Sequence, residues 1–363
     1  MMESAGIYRN PPWSMGPQVL LAADIGEDIV DWGQLAQGLK ELWPLGTGKG
    51  ILVGVCDTGR SDHSDLVNKI KYSQNFSSSF SDADAQGHST HVCGTIAAEK
   101  NGKGVVGVAY EAELCIAKVL GDDGSGDNRS VAAGIRYCLD KDCDIISMSL
   151  GGGYDSAIES AVIDAVNAGK FVICAAGNDG AGNGRDTVNW PGRLSQTVAV
   201  ASYRRDGNIS EFSSRGEEVD IAFPGEDILS CWLGNAYRKL SGTSMATPFC
   251  SGVVALLLSS QRALERSGKV LKDPVRNNAD LLERLKTVAM DKGPTGHDTA
   301  WGWGIVDTKK FLEQHPEDAP ADPGLPLVPP VGEATDSPLF GGLLHMIEPV
   351  VYAGHKGLFL YLP

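Results

Sequence analysis

Short apolar runs along the chain are separated by longer segments in which apolar and polar positions alternate with a helical period. The strand candidates are residues 51–56, 113–120, 144–149, 170–175 and 197–201, all rich in β-branched and small apolar side chains. Because these runs are almost continuously apolar, they predict a mostly parallel sheet that is covered by helices on both faces. The fold class expected from the pattern is α/β, with three layers in the order α/β/α.

Helices are expected between these strands and after the last of them. They are predicted at about residues 88–98, 129–139, 157–168, 244–260 and 281–289, and residues 306–314 are expected to close the core. Residues 225–240 have the pattern of an antiparallel hairpin that leads directly to Ser244. Pro248 lies four residues after Ser244, in the first turn of the predicted helix, where a proline is tolerated.

The two ends of the chain differ in composition from its body. Residues 27–314 carry the α/β pattern, and residues 1–26 form an N-terminal extension. Residues 315–338 are rich in proline and acidic residues, which is typical of an extended linker. Residues 339–363 are apolar again and predict a hairpin, which is too small to fold alone and would pack either on the body or on a second copy in a homodimer.

The net charge and the cysteines limit which binding partners and which cellular compartment can be expected. The formal net charge of −15 argues against nucleic acid and against anionic membranes as partners. There is no run of about 20 apolar residues, and the N-terminus lacks the basic region of a signal peptide. Five of the eight cysteines take positions of small buried hydrophobes, and Cys138 and Cys143 flank a turn where they could bridge. We therefore predict a cytoplasmic protein with reduced thiols.

The heptapeptide from Gly242 to Pro248 is the most informative stretch of the chain. It places Ser244 at the start of a helix, where the partial positive charge of the helix N-terminus would stabilise an oxyanion. A serine needs a base that is oriented by a third group. Asp57 at the end of a buried strand and His88 at the start of a helix are the candidates.

With the order Asp57, His88, Ser244, the chain resembles the subtilase family of serine endopeptidases, and among them the intracellular subtilisins. The resemblance covers residues from about 30 to about 312. It implies a subtilisin-like fold in which Asp57 is the triad acid, His88 the general base and Ser244 the nucleophile. His91, one helical turn after His88, is interpreted as structural. Protein or peptide substrates and no cofactor for the chemistry are implied.

The resemblance assigns roles to two further strand ends. Asn178, which follows a buried strand and the residues Ala175, Ala176 and Gly177, would donate its side-chain N–H to the oxyanion beside the backbone N–H of Ser244. Ser149, Leu150 and Gly151 would form an edge on which an extended substrate adds as a strand. Together with residues 175–177 they would frame the pocket for the side chain before the scissile bond.

Subtilases often hold structural calcium, and the matching positions here are Asp65 and Asn101. Two lysines in the loop around Asn101 weaken this interpretation, and an ordinary solvated turn is an equal alternative. A zinc site is not expected because no Cys-x-x-Cys pair is present.

Two other function classes remain to be weighed. A nucleotide-binding protein would explain the glycine turns after strands, but neither turn matches a phosphate-binding motif. A catalytically silent member of the family would be expected to lack a triad residue, and all three are present.

The N-terminal extension is too short for a folded inhibitory domain. By resemblance to the intracellular subtilisins, residues 7–13 would instead lie across the active-site groove as an inhibitory peptide. Ile7 and Tyr8 would fill apolar subsites, and Pro11 and Pro12 would prevent the strand pairing that cleavage needs. A disordered tail is the alternative.

Overall fold

The computed structural model describes residues 7–9, 14–21 and 26–318, of which residues 14–21 and 318 are described by their backbone alone. The strands are β1 Ile7–Arg9, β2 Ser14–Leu21, β3 Asp28–Ile29, β4 Leu52–Asp57, β5 Ile70–Asn75, β6 Gly104–Val105, β7 Glu113–Lys118, β8 Ser125–Asp127, β9 Ile145–Met148, β10 Phe171–Ala175, β11 Val198–Tyr203, β12 Ile221–Pro224, β13 Ile228–Trp232, β14 Ala236–Ser241, β15 Lys269–Leu271, β16 Ala289–Met290, β17 Ile305–Val306 and β18 Pro316–Asp318. The α-helices are α1 Trp32–Ala36, α2 Leu39–Leu42, α3 His88–Ala97, α4 Asn128–Asp140, α5 Ser156–Asn167, α6 Thr243–Arg266, α7 Asn278–Val288 and α8 Thr308–Leu312.

A nine-stranded sheet forms the centre of the body, in the order β16-β17-β12-β11-β10-β9-β4-β7-β5. All of its pairs are parallel except β16 with β17 at one edge. The five predicted strands are all present in it, and β5, β12, β16 and β17 are additional members. The predicted mostly parallel sheet is therefore confirmed.

Two apolar clusters cover the two faces of this sheet, because side chains alternate along each strand. Val53 and Val55 of β4 face α3 and α6 in one cluster. Leu52 and Cys56 of the same strand face α4 and α5 in the other. The three-layer α/β/α arrangement follows from this alternation, and the predicted fold class is confirmed.

Helix α6 is the core helix of the body. In the described part of the chain it is long and apolar enough to cross a membrane, but its apolar stretch is entirely buried inside the protein. It is preceded by the hairpin of β13 and β14, as the sequence predicts, and β2 pairs with β14 to make a third strand. All eight cysteines lie among the described residues, are buried and form no disulfide. The predicted linker at 315–338 lies outside the described residues from 319 onward, and the predicted C-terminal hairpin lies wholly outside them.

The carboxyl ends of the central strands meet at one edge of the sheet. Strand β4 ends at Asp57, β9 is followed by Ser149, and β10 is followed within three residues by Asn178. Because β4, β9 and β10 are neighbouring parallel strands, these side chains lie close together. A site at this edge is the usual arrangement in open α/β sheets.

Candidate active site

A buried acid–base pair lies at this edge of the sheet. Nδ1 of His88 is 2.9 Å from both carboxylate oxygens of Asp57, and both side chains are fully buried. The Nδ1–H therefore donates to the carboxylate, which fixes the orientation of the ring and leaves Nε2 as the basic nitrogen. The backbone N–H of Thr58 also donates to Asp57, at 2.7 Å, and helps to stabilise its buried charge.

Ser244 lies at the second position of α6 and is fully buried. Its carbonyl cannot accept the usual bond from the residue four positions on, because Pro248 has no N–H. The hydroxyl of Ser149 donates to this carbonyl instead, at 2.9 Å, and the Ser244 hydroxyl points to the carbonyl of Ser149 at 3.4 Å. Ser149 therefore fixes the first turn of α6 around Ser244, a contact that the sequence did not predict.

The side chain of Asn178 is oriented by the residue before the serine. Its Oδ1 accepts from the backbone N–H of Thr243 at 2.8 Å and from the Thr243 hydroxyl at 2.9 Å. These two bonds fix the orientation of the Asn178 carboxamide group. The same Thr243 hydroxyl accepts from the N–H of Gly177, which ties the end of β10 to the start of α6.

Residues 149–151 and 175–177, which are predicted to frame a substrate pocket, differ in how far they are buried. Ala175 and Ala176 are fully buried, and the backbone of Ala176 bonds to Val200 and Asn189. Gly177 has a φ of 116°, a value that favours glycine. Leu150 is fully buried and Ser149 is almost so, which leaves Gly151 as the paired position of the predicted edge.

The start of α3 is organised by acceptors that the sequence analysis missed. Asp84 accepts from the N–H groups of Gly87 and Thr90, both at 2.8 Å, and from the Thr90 hydroxyl. The N–H of Ser89 donates to the Thr58 hydroxyl at 3.0 Å, and that of His88 to the side chain of Gln86 at 3.0 Å. All the N–H groups of the first turn are thus satisfied by side chains. An aspartate four residues before His88 is the signal that could have indicated this.

His91 has no place in the catalytic arrangement. Its Nε2 donates to the carbonyls of Ile228 and Arg238, at 2.9 and 3.1 Å, which belong to β13 and β14. Burial lowers its pKa to about 3, so the ring is neutral. The structural interpretation of His91 is supported, because this ring fastens the hairpin before Ser244 to the helix that carries His88.

The described part of the N-terminal extension lies in the groove beside these residues. Strand β1 pairs antiparallel with β8, with Tyr8 opposite Gly126. On its other side Arg9 exchanges two backbone hydrogen bonds with Gly151, at 2.9 and 3.0 Å. The strand therefore fills the space between two backbone edges, which is how an extended peptide is bound by strand addition.

Tyr8 anchors this strand. Its side chain is 1% exposed, and its hydroxyl donates to the carbonyl of Gly153 at 2.5 Å. A Cβ atom on Gly152 would lie only 3.0 Å from the Tyr8 ring, so the absence of a side chain there makes room for it. Ile7 in contrast is 58% exposed and fills no pocket. Pro11 and Pro12 lie outside the described residues.

The two residues proposed as calcium ligands lie together, but their oxygens are already engaged. Asp65 accepts from the Tyr237 hydroxyl at 2.6 Å and from Nδ2 of Asn101 at 3.1 Å. The Oδ1 of Asn101 accepts from the N–H of Lys103. A calcium ion needs oxygen ligands, and here Asn101 presents its nitrogen to Asp65. In this arrangement Nδ2 of Asn101 faces Asp65, and calcium binding at this pair stays a prediction.

Comparison with known proteins places the chain in a family. The model of the subtilase family matches residues 48–304. The chain is 43% identical over 283 residues to the major intracellular serine protease of Bacillus subtilis (strain 168), which covers 72% of this chain and 88% of that protein. It is 45% identical over 224 residues to the intracellular serine protease of Paenibacillus polymyxa, covering 60% of this chain and 69% of that protein.

A third relative is similar at a lower level of identity. Identity to subtilisin Savinase of Lederbergia lenta is 37% over 265 residues, which covers 72% of this chain and 91% of that protein. The match to the family model spans more than half of the chain and includes Asp57, His88, Asn178 and Ser244. The chain therefore belongs to the subtilase family and is a subtilisin-like serine protease.

Proposed function

We propose that the protein is an endopeptidase that cleaves polypeptides through an acyl-enzyme on Ser244. The observation that carries this proposal is the bond from His88 to both oxygens of Asp57, at the sheet edge where α6 presents Ser244. In the proposed first step, Nε2 of His88 takes the proton of Ser244 as the hydroxyl attacks the scissile carbonyl. The same nitrogen then gives that proton to the leaving amine, and water releases the acyl group by the reverse path.

The charge on the tetrahedral oxygen needs donors that are already in place. Nδ2 of Asn178 and the backbone N–H of Ser244 are the proposed pair. The two bonds from Thr243 to the Asn178 oxygen support this role, because they fix the amide before any substrate binds. Gly151 and strand β8 would bind the substrate backbone, and residues Ala175–Gly177 would line the pocket before the scissile bond.

Covalent labelling tests this assignment. A fluorophosphonate should modify the truncated protein described below at Ser244, as found by peptide mass spectrometry. The Ser244→Ala variant should not be labelled, and the His88→Ala variant should react far more slowly. Labelling at another residue, or peptidase activity that persists in Ser244→Ala, would show that the nucleophile lies elsewhere. A silent or nucleotide-binding protein would not react at all.

The N-terminal strand is proposed as a built-in inhibitor of this activity. It occupies both backbone edges of the groove, and the side chains of His88 and Ser244 are fully buried in the chain as it stands. Strand β2, which follows, pairs Ser14 with Ser241, three residues before the nucleophile. Strand β1 thus occupies the edges on which a substrate would add, and a substrate would have to displace it.

A truncation that starts at Ser14 tests this inhibitor. It removes β1 and keeps β2, whose pairing with β14 supports the hairpin before Ser244. The full-length protein should show a lag and trimming of its N-terminus before it reaches the rate of the truncated form. Equal initial rates without trimming would contradict the proposal and favour a tail with no inhibitory role.

The cellular location of the protein and its oligomeric state follow from less specific observations. We propose a cytoplasmic enzyme, because two of its relatives are named intracellular proteases and its eight cysteines are all reduced and buried. The homodimer expected from the apolar tail stays a prediction, since residues 339–363 lie outside the described part of the chain. No calcium-dependent step is proposed from Asp65 and Asn101.

A further inference from the structure

A group of thiols lies under helix α4, on the face of the sheet opposite to α6. Sγ atoms of Cys115, Cys138 and Cys143 all lie within 4.8 Å of one another, and all three residues are fully buried. A fourth thiol, Cys56, lies with its Sγ 3.9 Å from that of Cys138. Sulfur ligands around a zinc ion lie about 3.8 Å apart, because each Zn–S bond is about 2.3 Å long. The spacing in this cluster is close to that of a metal–thiolate site.

The cluster is assembled from three separate parts of the fold. Cys115 lies in β7, Cys138 in the last turn of α4, and Cys143 just before β9. Space for the sulfurs is provided by Gly54 in β4, where a Cβ atom would lie 2.6 Å from Sγ of Cys138. A side chain at that position would separate the thiols, so the backbone is built to bring them together.

We propose that Cys115, Cys138 and Cys143 bind one soft, thiophilic cation such as Zn²⁺ or Cu⁺, with Cys56 as an adjacent fourth thiol. Thiolates select such ions over hard cations. Each thiol releases its proton to solvent when it becomes a ligand, so binding is stronger at higher pH. The ion would cross-link the end of α4 to the central sheet.

The surroundings of the cluster suit the negative charge that three thiolates bring. The Lys141 ammonium lies near enough to Cys115 to interact electrostatically with its thiolate. The Lys141 ammonium lies over the rings of Tyr72 and Tyr137, at 5.2 and 5.4 Å from their centroids. A cation held beside the site partly balances the excess charge of the complex.

An ion can reach this buried site through the turn that joins two of its ligands. Asp142 lies in this turn with its side chain 90% exposed. The backbone of Cys143 donates to the carbonyl of Cys138 at 3.0 Å and closes the turn. Opening these few residues exposes both thiols, and closing them completes the site.

Cadmium binding tests the proposal in the Ser244→Ala background, which prevents self-digestion. The reduced, metal-free protein should bind one Cd²⁺ per chain and develop an ultraviolet thiolate-to-cadmium absorption band. Cys138→Ala and Cys143→Ala should each lose the band, whereas Cys250→Ala should keep it, because that buried thiol of α6 is not part of the cluster. Zn²⁺ added to the metal-free protein in place of cadmium should raise the unfolding temperature of the parent but not of Cys143→Ala.

A second measurement covers variants that fail to fold. In the parent protein under partial denaturation, bound Cd²⁺ should protect Cys115, Cys138 and Cys143 from alkylation and leave Cys250 unprotected, as mapped by mass spectrometry. Absence of binding to the fully reduced parent would overturn the proposal. So would a band that survives Cys143→Ala and disappears in Cys231→Ala, because the ion would then lie with His63 and Asp65.

Discussion

At the scale of single residues, the contact between Asp57 and His88 determines how the site can react. The two side chains are fully buried and bonded through Nδ1, so the imidazolium formed during the reaction would be stabilised by a carboxylate that water does not screen. The same buried carboxylate would be costly without the histidine. The pair therefore stabilises the folded chain and prepares the proposed base in one arrangement.

Because the three residues of the proposed triad would act as a unit, the effects of their substitutions should not be additive. In the truncated enzyme, Ser244→Ala and His88→Ala should each lower kcat by several orders of magnitude, and the double variant should be almost no slower than either. In subtilisins the loss of one oxyanion-hole donor costs about 10²–10³ in kcat, and Asn178→Leu is expected to fall in that range. Steady-state kinetics on a peptide substrate measure all four. Additive losses from Ser244→Ala and His88→Ala would contradict a shared role.

Asp220 provides a prediction about pH and stability. Burial raises its pKa to about 7, although the N–H of Ala199 donates to it at 2.7 Å. A carboxyl with a raised pKa in the folded state binds its proton more tightly than in the unfolded chain. Its contribution to stability is therefore present below pH 4 and is lost as the pH rises to about 7.

The variant Asp220→Asn removes this titration and keeps an acceptor for the Ala199 N–H. Relative to the parent, its free energy of unfolding should increase between pH 4 and 8, by on the order of 1.4 kcal/mol for each unit by which the pKa was raised. Urea unfolding in the Ser244→Ala background measures the difference. Asp206→Asn, at an exposed turn, is the control and should show no such trend. A difference between Asp220→Asn and the parent that does not vary with pH would contradict the assignment.

At the scale of elements, the start of α3 shows how a helix positions a catalytic side chain. Gly87 precedes the helix with a φ of 96° and has no capping side chain of its own. Asp84 supplies the acceptors instead and also accepts from the Thr58 hydroxyl at 2.9 Å. Because Thr58 follows Asp57 directly, these hydrogen bonds link the end of strand β4, which carries Asp57, to the start of helix α3, which carries His88.

Asp84→Ala should therefore affect both stability and catalysis. Several buried N–H groups and hydroxyls would lose their acceptor, at a cost of about 1–3 kcal/mol for each group left unsatisfied. The unfolding temperature should fall, and kcat should fall more than KM changes, because the position of His88 is loosened. Asp84→Asn keeps one acceptor oxygen and should recover part of both. If the Asp84→Ala variant were destabilised but kept a normal kcat, Asp84 would have only a structural role.

The sequence predicts residues that lie in short local motifs. It misses contacts between segments that are distant along the chain. Asp57, His88 and Ser244 were identified because each lies in a short motif with its own strand or helix signal. The acceptor role of Asp84 was not predicted, because it depends on a loop that returns to the helix. The place of this aspartate four residues before His88 was the only local signal for it. The thiol cluster was missed for the same reason: its ligands come from three elements, and residues 115, 138 and 143 match no metal-binding spacing.

The sequence predicts a peptide that lies across the groove. The structure shows that Tyr8 is the buried side chain that anchors strand β1. Tyr8→Ala should shorten or abolish the lag of the full-length enzyme, because it removes the buried ring and its bond to Gly153. Ile7→Ala, in the same strand but largely exposed, is the matched control and should keep the lag. Progress curves of peptide hydrolysis show both. If the two variants behaved alike, Tyr8 would not be the anchor.

At the scale of the whole molecule, the proposed inhibitory strand β1 depends on being part of the same chain as the groove that it occupies. Strand β1 is only three residues long and makes most of its contacts through one side chain and the backbone. Such a segment binds weakly on its own, since free peptides lose translational and conformational freedom on binding. Tethering raises its effective concentration to the millimolar range, which lets a weak contact occupy the groove most of the time.

A peptide of residues 1–13 added to the enzyme truncated at Ser14 measures this effect of tethering. The peptide should inhibit competitively with a dissociation constant of micromolar to millimolar order, well above the concentration of enzyme in the assay. A peptide with Tyr8→Ala should bind at least about tenfold more weakly, in proportion to the buried ring that it lacks. Rejoining the segment in the full-length Ser244→Ala protein should make the groove inaccessible to a fluorescent substrate analogue that binds the truncated Ser244→Ala form. Noncompetitive inhibition, or an analogue that binds both forms equally, would show that the segment acts outside the groove. Competition that depends on Tyr8 would show that the contacts of strand β1 restrain the enzyme until the N-terminus is removed.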